Sequence, residues 1–152
     1  MILFHKILMV TGSILIMSSF QSPQKETTCS LTAKVQGLRN SKGVVQFTLY
    51  NKNGTVPDEK FENYYRIKIS EIHSGSATIT FFQLPEGKYA INILHDENNN
   101  GKIDKKFMIP LPKEGVGFSN YESIGFTNHP NFSKAKFQLN RDTTKQIKII
   151  YF

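Results

Sequence analysis

A chain of 152 residues, 39% hydrophobic and 20% charged, has the material for one folded domain and is too short for several. Its formal charge of +7 raises the question of nucleic acid, but Lys34, Lys42, Lys52, Lys60, Lys68, Lys88 and Lys148 are scattered. The one cluster, Lys102, Lys105 and Lys106, has no arginines or aromatic ladder beside it, so the basic residues read as a solvated surface and nucleic acid is excluded as a partner.

Residues 1–20 read as a secretory signal peptide. His5 and Lys6 start it, Ile7 to Met17 is nearly unbroken apolar sequence, and Ser18 and Ser19 follow. That run is too short for a comfortable span and suits a cleaved segment. Its removal takes away Lys6 and no acid, leaving a charge of +6 and no stable membrane span. Cys29 lacks the residues that precede a lipid-modified cysteine, and a single cysteine forms no internal disulfide. The expected location is outside the cytoplasm, periplasmic or secreted. Residues 21–29, Gln-Ser-Pro-Gln-Lys-Glu-Thr-Thr-Cys, are expected to be a flexible leader.

From residue 30 the hydrophobic period is two. Apolar positions alternate at Leu31-Ala33-Val35, Val45-Phe47-Leu49, Tyr65-Ile67-Ile69, Ala77-Ile79-Phe81, Tyr89-Ile91-Ile93, Ala135-Phe137-Leu139 and Ile147-Ile149-Tyr151. Turn residues separate the runs at 40–43, 74–76, 85–87 and 140–142. Seven strands with one apolar face each predict a seven-stranded antiparallel β-sandwich over residues 30–152. Residues 55–64 allow one helical turn. Residues 96–132 have neither period, yet carry Val116, Phe118, Tyr121, Ile124 and Phe126 among other apolar groups. A long loop so apolar is expected to be ordered, folded back on the sandwich, and functional.

This loop opens with Asp96-Glu97-Asn98-Asn99-Asn100-Gly101-Lys102-Ile103-Asp104. Side-chain oxygens at positions one, three, five and nine, with glycine at six, match the opening of an EF-hand calcium loop. The predicted ligands are Asp96, Asn98, Asn100, Asp104 and the Lys102 carbonyl, with Ile103 anchoring the loop. Position twelve is Phe107 instead of the bidentate glutamate. Calcium is therefore expected to bind weakly, on the order of 0.1–1 mM, with Glu97 or Glu114 as outside donors. The bland alternative is an Asn-rich turn capping its own backbone. His95, Glu114, Phe118, Ser119, Asn120 and Tyr121 are the expected ligand surface, facing a protein or glycan partner. The two glycines of Glu114–Asn120 are expected to let backbone pass close to the sandwich.

The runs Leu84-Pro85-Glu86-Gly87-Lys88-Tyr89-Ala90-Ile91, His95-Asp96-Glu97-Asn98 with Asn100-Gly101, Ile109 to Gly115, and Gly117-Phe118-Ser119-Asn120 together resemble the bacterial domain of unknown function numbered 2141. The likeness covers roughly residues 30–152. The first run is also similar to prealbumin-like and immunoglobulin-like modules. The resemblance implies an exported β-sandwich of Gram-negative bacteria and no particular activity. The preferred reading is a non-enzymatic binding or structural module. The alternatives are a small hydrolase using His95 with Asp96 or Glu114, and an assembly protein offering Lys148–Phe152 as an edge strand.

Overall fold

The alternating runs form strands in the order expected. They are β1 (Thr28–Gln36), β2 (Val44–Tyr50), β3 (Arg66–Ser70), β4 (Ser76–Pro85), β5 (Gly87–Asp96), β6 (Gly115–Phe118), β7 (Phe137–Leu139) and β8 (Thr143–Lys148), with a one-turn helix α1 (Phe132–Ala135) before β7. The computed structural model describes residues 27–107, 111–125 and 127–152. The expected signal peptide and leader residues 21–26 lie outside the described residues. Thr28 and Cys29, read from sequence as leader, instead begin β1, where Cys29 is buried. No helix among the described residues is long and apolar enough to cross a membrane.

The strands form two sheets, β4-β1-β8 and β3-β2-β5-β6, with β7 paired to the start of β5. Pro85-Glu86-Gly87 carries the chain from the smaller sheet into the larger. The pairing of β1 with β8 is parallel, with Leu31 opposite Thr143, against the expectation of a wholly antiparallel sandwich. Residues 140–142 return the chain from β7 to the free side of β1, which β8 then follows in its own direction. The last strand also lies earlier than expected. Ile147 is buried in the core, but beyond Lys148 the chain leaves the small sheet, and Ile150 exchanges two backbone hydrogen bonds with Val116 of the large one (3.0 and 2.8 Å). Lys148–Phe152 is therefore a bridge between sheets at Ile150 and not an open edge there.

Leu31, Ala33, Val35, Ile79 and Phe81 of one sheet meet Phe47, Leu49, Ile91, Ile93 and Leu139 of the other in the central core. Burial of each such side chain is worth roughly 1.5–3 kcal/mol. A second core lies on the outer face of the large sheet, where Tyr50, Ala90, Leu94, Val116 and Phe118 pack with Tyr121, Phe132 and Ala135. The long segment after Asp96 does fold back as its composition requires, and it contributes a strand of its own, β6, that the sequence reading did not assign. The consequence is that β2 and β5 are buried on both faces, although their sequences alternate as if one face met water. Residues 55–64 form turns and no helix; Phe61 has φ of +53 there.

Candidate functional site

The Asn-rich loop leaves the large sheet at the end of β5. Its first residue is pressed against the turn before β2: Gly43 has φ of +68, and a Cβ on it would stand 1.8 Å from the Asp96 carbonyl oxygen. Only glycine fits. The Asp96 carboxylate, 2% exposed, accepts from the Asn100 amide at 3.1 Å and the Gly101 amide at 2.7 Å. Asn98 and Asn100 then cap the amides of Asn100 and Lys102 through their Oδ1 atoms (3.1 and 2.8 Å). Their Nδ2 groups converge on Asp104, at 2.7 Å from Asn98 and 3.1 Å from Asn100. The side chains of Asp96, Asn98 and Asn100 thus cap amides of their own loop, and the two asparagines also reach Asp104.

The loop is braced from behind. Glu114, 3% exposed, accepts from the Glu97 amide at 3.0 Å and, more weakly, from the Asp104 amide at 3.4 Å. Burial pushes its carboxyl above the usual range, the two amides oppose this, and the charges of Asp104 and Asp96 add to it. Ile103 packs against the second core as an anchor. Beyond it the chain doubles back, with Lys113 donating to the Asp104 carbonyl at 2.7 Å and Lys106 to that of Leu111 at 2.9 Å. Phe107, at the position of the missing glutamate, points to solvent at 90% exposure.

The donor set is oxygen throughout, which suits a hard cation. Two carboxylates, two amide oxygens and the Lys102 carbonyl make five donors, one short of the six calcium takes at minimum, so water would complete the shell. Asn98 and Asn100 turn Nδ2 toward Asp104, so binding would exchange those two contacts for an ion between the same groups. Among the described residues no group of three or more His, Cys, Asp or Glu is placed to hold a metal. Glu114 is engaged with backbone amides and contributes charge without joining the ring.

The rest of the expected ligand surface is structural. His95 is fully buried, with Nε2 3.0 Å from the Lys42 carbonyl oxygen and Nδ1 2.7 Å from the Tyr151 hydroxyl. A carbonyl only accepts, so Nε2 carries a proton toward Lys42, while Nδ1 is taken up by the Tyr151 hydroxyl. Both nitrogens are used, and the ring has none free for a base facing substrate. Ser119, 1% exposed, accepts from the Ile91 amide and donates to the Ala135 carbonyl. Asn120 donates to carbonyls at the end of α1. The Tyr121 hydroxyl donates to the His129 carbonyl and accepts from the Asn131 amide. Buried Ser119 and Tyr121 fasten the long segment to its surroundings, Asn120 stays exposed beside them, and Phe118 lines a cavity. Phe126 lies outside the described residues. The glycine expectation holds: a Cβ on Gly117 would be 2.3 Å from the Lys148 carbonyl oxygen.

Sequence reasoning missed a polar strip beneath this cover. Gln46, Thr48 and Tyr50 alternate on β2, and Asn92 lies opposite Thr48 on β5. All four are at least 96% buried. Among the described residues, Gln46 Nε2, Thr48 Oγ1, Tyr50 Oη and both amide atoms of Asn92 find no hydrogen-bond partner. Alone the pattern reads as a solvent face; the available signal was the apolar loop, which needs a sheet face to cover.

A family model described as "Uncharacterized protein conserved in bacteria (DUF2141)" matches residues 33–148 of the chain. No curated protein and no solved structure matches it.

Proposed function

The chain belongs to the DUF2141 family of bacterial proteins, and from that premise we propose that it is an exported, non-enzymatic binding module whose Asp96–Asp104 loop takes a weakly held calcium ion. The ion orders the segment that follows, which covers the outer face of the large sheet. The observation that carries this reading is the convergence of Asn98 and Asn100 on Asp104 while Asp96 holds the Asn100 and Gly101 amides. Alternate oxygen-bearing side chains are gathered on one side of a tight turn, with two negative charges among them and a third, Glu114, just behind. The first twenty residues support export, being polar and basic, then apolar, then small.

A cation that binds only the folded chain raises its melting midpoint by mass action. The test is thermal unfolding of the purified protein in excess calcium, in equal magnesium, and in chelator. A rise specific to calcium is expected at concentrations of about 1 mM and above. An unchanged midpoint there reduces the loop to an Asn-rich turn and removes calcium from the function.

A further inference from the structure

Two asparagines of the chain precede a glycine, Asn53 in the β2–β3 connection and Asn100 in the Asp96–Asp104 loop. Such a pair opens the side-chain amide to attack by the next backbone nitrogen, because glycine has no Cβ to hinder the approach. Both pairs are exposed, and both glycines have positive φ, +79 at Gly54 and +71 at Gly101. Neither solvent access nor backbone region separates them, but their hydrogen bonds do. The Gly101 amide donates to Asp96 Oδ2 at 2.7 Å. Asn100 Oδ1 accepts from the Lys102 amide at 2.8 Å, and its Nδ2 donates to Asp104 at 3.1 Å. The attacking nitrogen, the carbonyl and the leaving amide are thus all held, and the Asp96 carboxylate opposes loss of the Gly101 proton, as a like charge does. Asn53 Oδ1 has one long contact, 3.5 Å to Ser133 Oγ. Among the described residues the Gly54 amide has no hydrogen-bond acceptor, and a Cβ on Gly54 would meet nothing within 4 Å.

We propose that Asn53 is a site of spontaneous deamidation and that Asp96 withholds Asn100 from the same reaction. Hydroxide takes the Gly54 amide proton, the nitrogen bonds to Asn53 Cγ, and the Cγ–Nδ2 bond breaks. Ammonia leaves with a proton from water. Water then opens the cyclic imide at one carbonyl or the other, leaving aspartate or isoaspartate at position 53 and one more negative charge on that turn. Nothing is oxidised or reduced. At position 100 the same change would put a further carboxylate, or a lengthened backbone, into the loop. Its bearing on calcium rests on the proposed ring; the chemistry at Asn53 and its absence at Asn100 do not.

The full purified protein is incubated in mildly alkaline buffer with chelator, folded in one arm and unfolded in urea in the other, and both positions are followed by peptide mapping with mass spectrometry. In the folded arm conversion is expected at Asn53 and at least about tenfold more slowly at Asn100, where a charge-assisted hydrogen bond must first be given up. In urea the two positions are expected to convert at similar rates. Asp96→Ala frees the Gly101 amide and is expected to speed conversion at Asn100 in the folded chain. Asp96→Asn keeps the shape and removes the charge, and does the same in part even if the alanine variant does not fold. Equal conversion of the two positions in the folded protein, or none at Asn53, overturns the proposal. So does an Asn100 that stays intact in urea, or one that stays as slow in folded Asp96 variants as in the parent.

Discussion

The Nδ1 atom of His95, the last residue before the Asp96–Asp104 loop, stands 2.7 Å from the hydroxyl of Tyr151, one residue from the final position. The two rings meet nearly edge to face, at an interplanar angle of 76°. A fully buried imidazole thereby fixes the start of the Asn-rich loop to the segment that bridges the two sheets. Tyr151→Phe keeps the ring and removes the hydroxyl, leaving a buried nitrogen without its partner. A loss of about 1–3 kcal/mol is expected in urea denaturation. A loss below roughly 0.5 kcal/mol, the scale of an unremarkable surface change, would mean the contact ties nothing together.

Gly117 tests how closely the long segment is pressed on the sandwich. A Cβ there would lie 2.3 Å from the Lys148 carbonyl oxygen and 2.9 Å from Ile93 Cγ1. One of those atoms is backbone and cannot move alone. Gly117→Ala is expected to cost about 1–3 kcal/mol, as overpacking does, while Gly125→Ala, in open space, should stay within about 0.5 kcal/mol. Equal effects at the two positions would contradict the close approach.

Calcium binding separates main-chain from side-chain donors. The proposed part of Lys102 is its carbonyl, so Lys102→Ala should preserve the calcium-dependent rise in melting midpoint. Asp104→Asn removes one of two ring carboxylates and should abolish most of it. Asp96→Ala is the less clean variant, because that carboxylate also holds two backbone amides and its loss destabilises the metal-free protein. A calcium response that survives Asp104→Asn would place any ion elsewhere.

The buried polar strip makes an unusual expectation, that removing polar atoms stabilises. Among the described residues the Tyr50 hydroxyl and Thr48 Oγ1 have no partner at full hydrogen-bond geometry; Asn92 and Asp58 lie near enough to the Tyr50 hydroxyl to act on it but fall short of that geometry. Tyr50→Phe and Thr48→Val should each raise the melting midpoint, by the equivalent of about 1 kcal/mol. Burial also pushes the Tyr50 phenol far above its ordinary value, with the Asp58 charge adding to it. An acid whose native pKa is raised loses stability as pH climbs past its unfolded value of about 10. The wild-type midpoint should therefore fall above that pH, and less steeply in Tyr50→Phe; Tyr89 and Tyr151, raised by burial too, keep part of the fall. Destabilisation by Thr48→Val would mean a water or ligand satisfies the strip.

The open edge of the sandwich is guarded by charge. Arg66 donates to the Phe82 and Gln83 carbonyls at 2.6 and 3.3 Å, and Lys68 to the Thr80 carbonyl at 2.7 Å. Side chains of edge strand β3 thus occupy carbonyls of edge strand β4, beside exposed Ile69 and Phe82. Replacing both cations by serine frees those carbonyls for another strand. Sedimentation should then report concentration-dependent association beyond that of the parent chain. A double variant that sediments as the parent does would deny the guarding role.

Period-two alternation sufficed to locate the strands of the central core, because side chains of alternate residues must point to opposite faces and only apolar ones can be buried together. The Asp96–Asp104 loop is likewise local, since hydrogen bonds within nine residues are settled by local chain geometry. The sequence also foretold that an apolar long segment would return to the sandwich, because leaving Val116 and Phe118 in water is costly. What it could not decide was where that segment would lie. Gln46, Thr48 and Asn92 look like a solvent face until the rest of the long segment and α1 lie over the sheet, and His95 looks like a free base until Lys42 and Tyr151 take both its nitrogens. The cavity that Phe118 lines has no signature at all: Glu59, Lys105 and Phe152 meet there only because strands distant in the chain close on one another. Local pattern determined the strands and the loop; burial, partner choice and the cavity came from contacts between segments far apart in sequence, which no periodicity encodes.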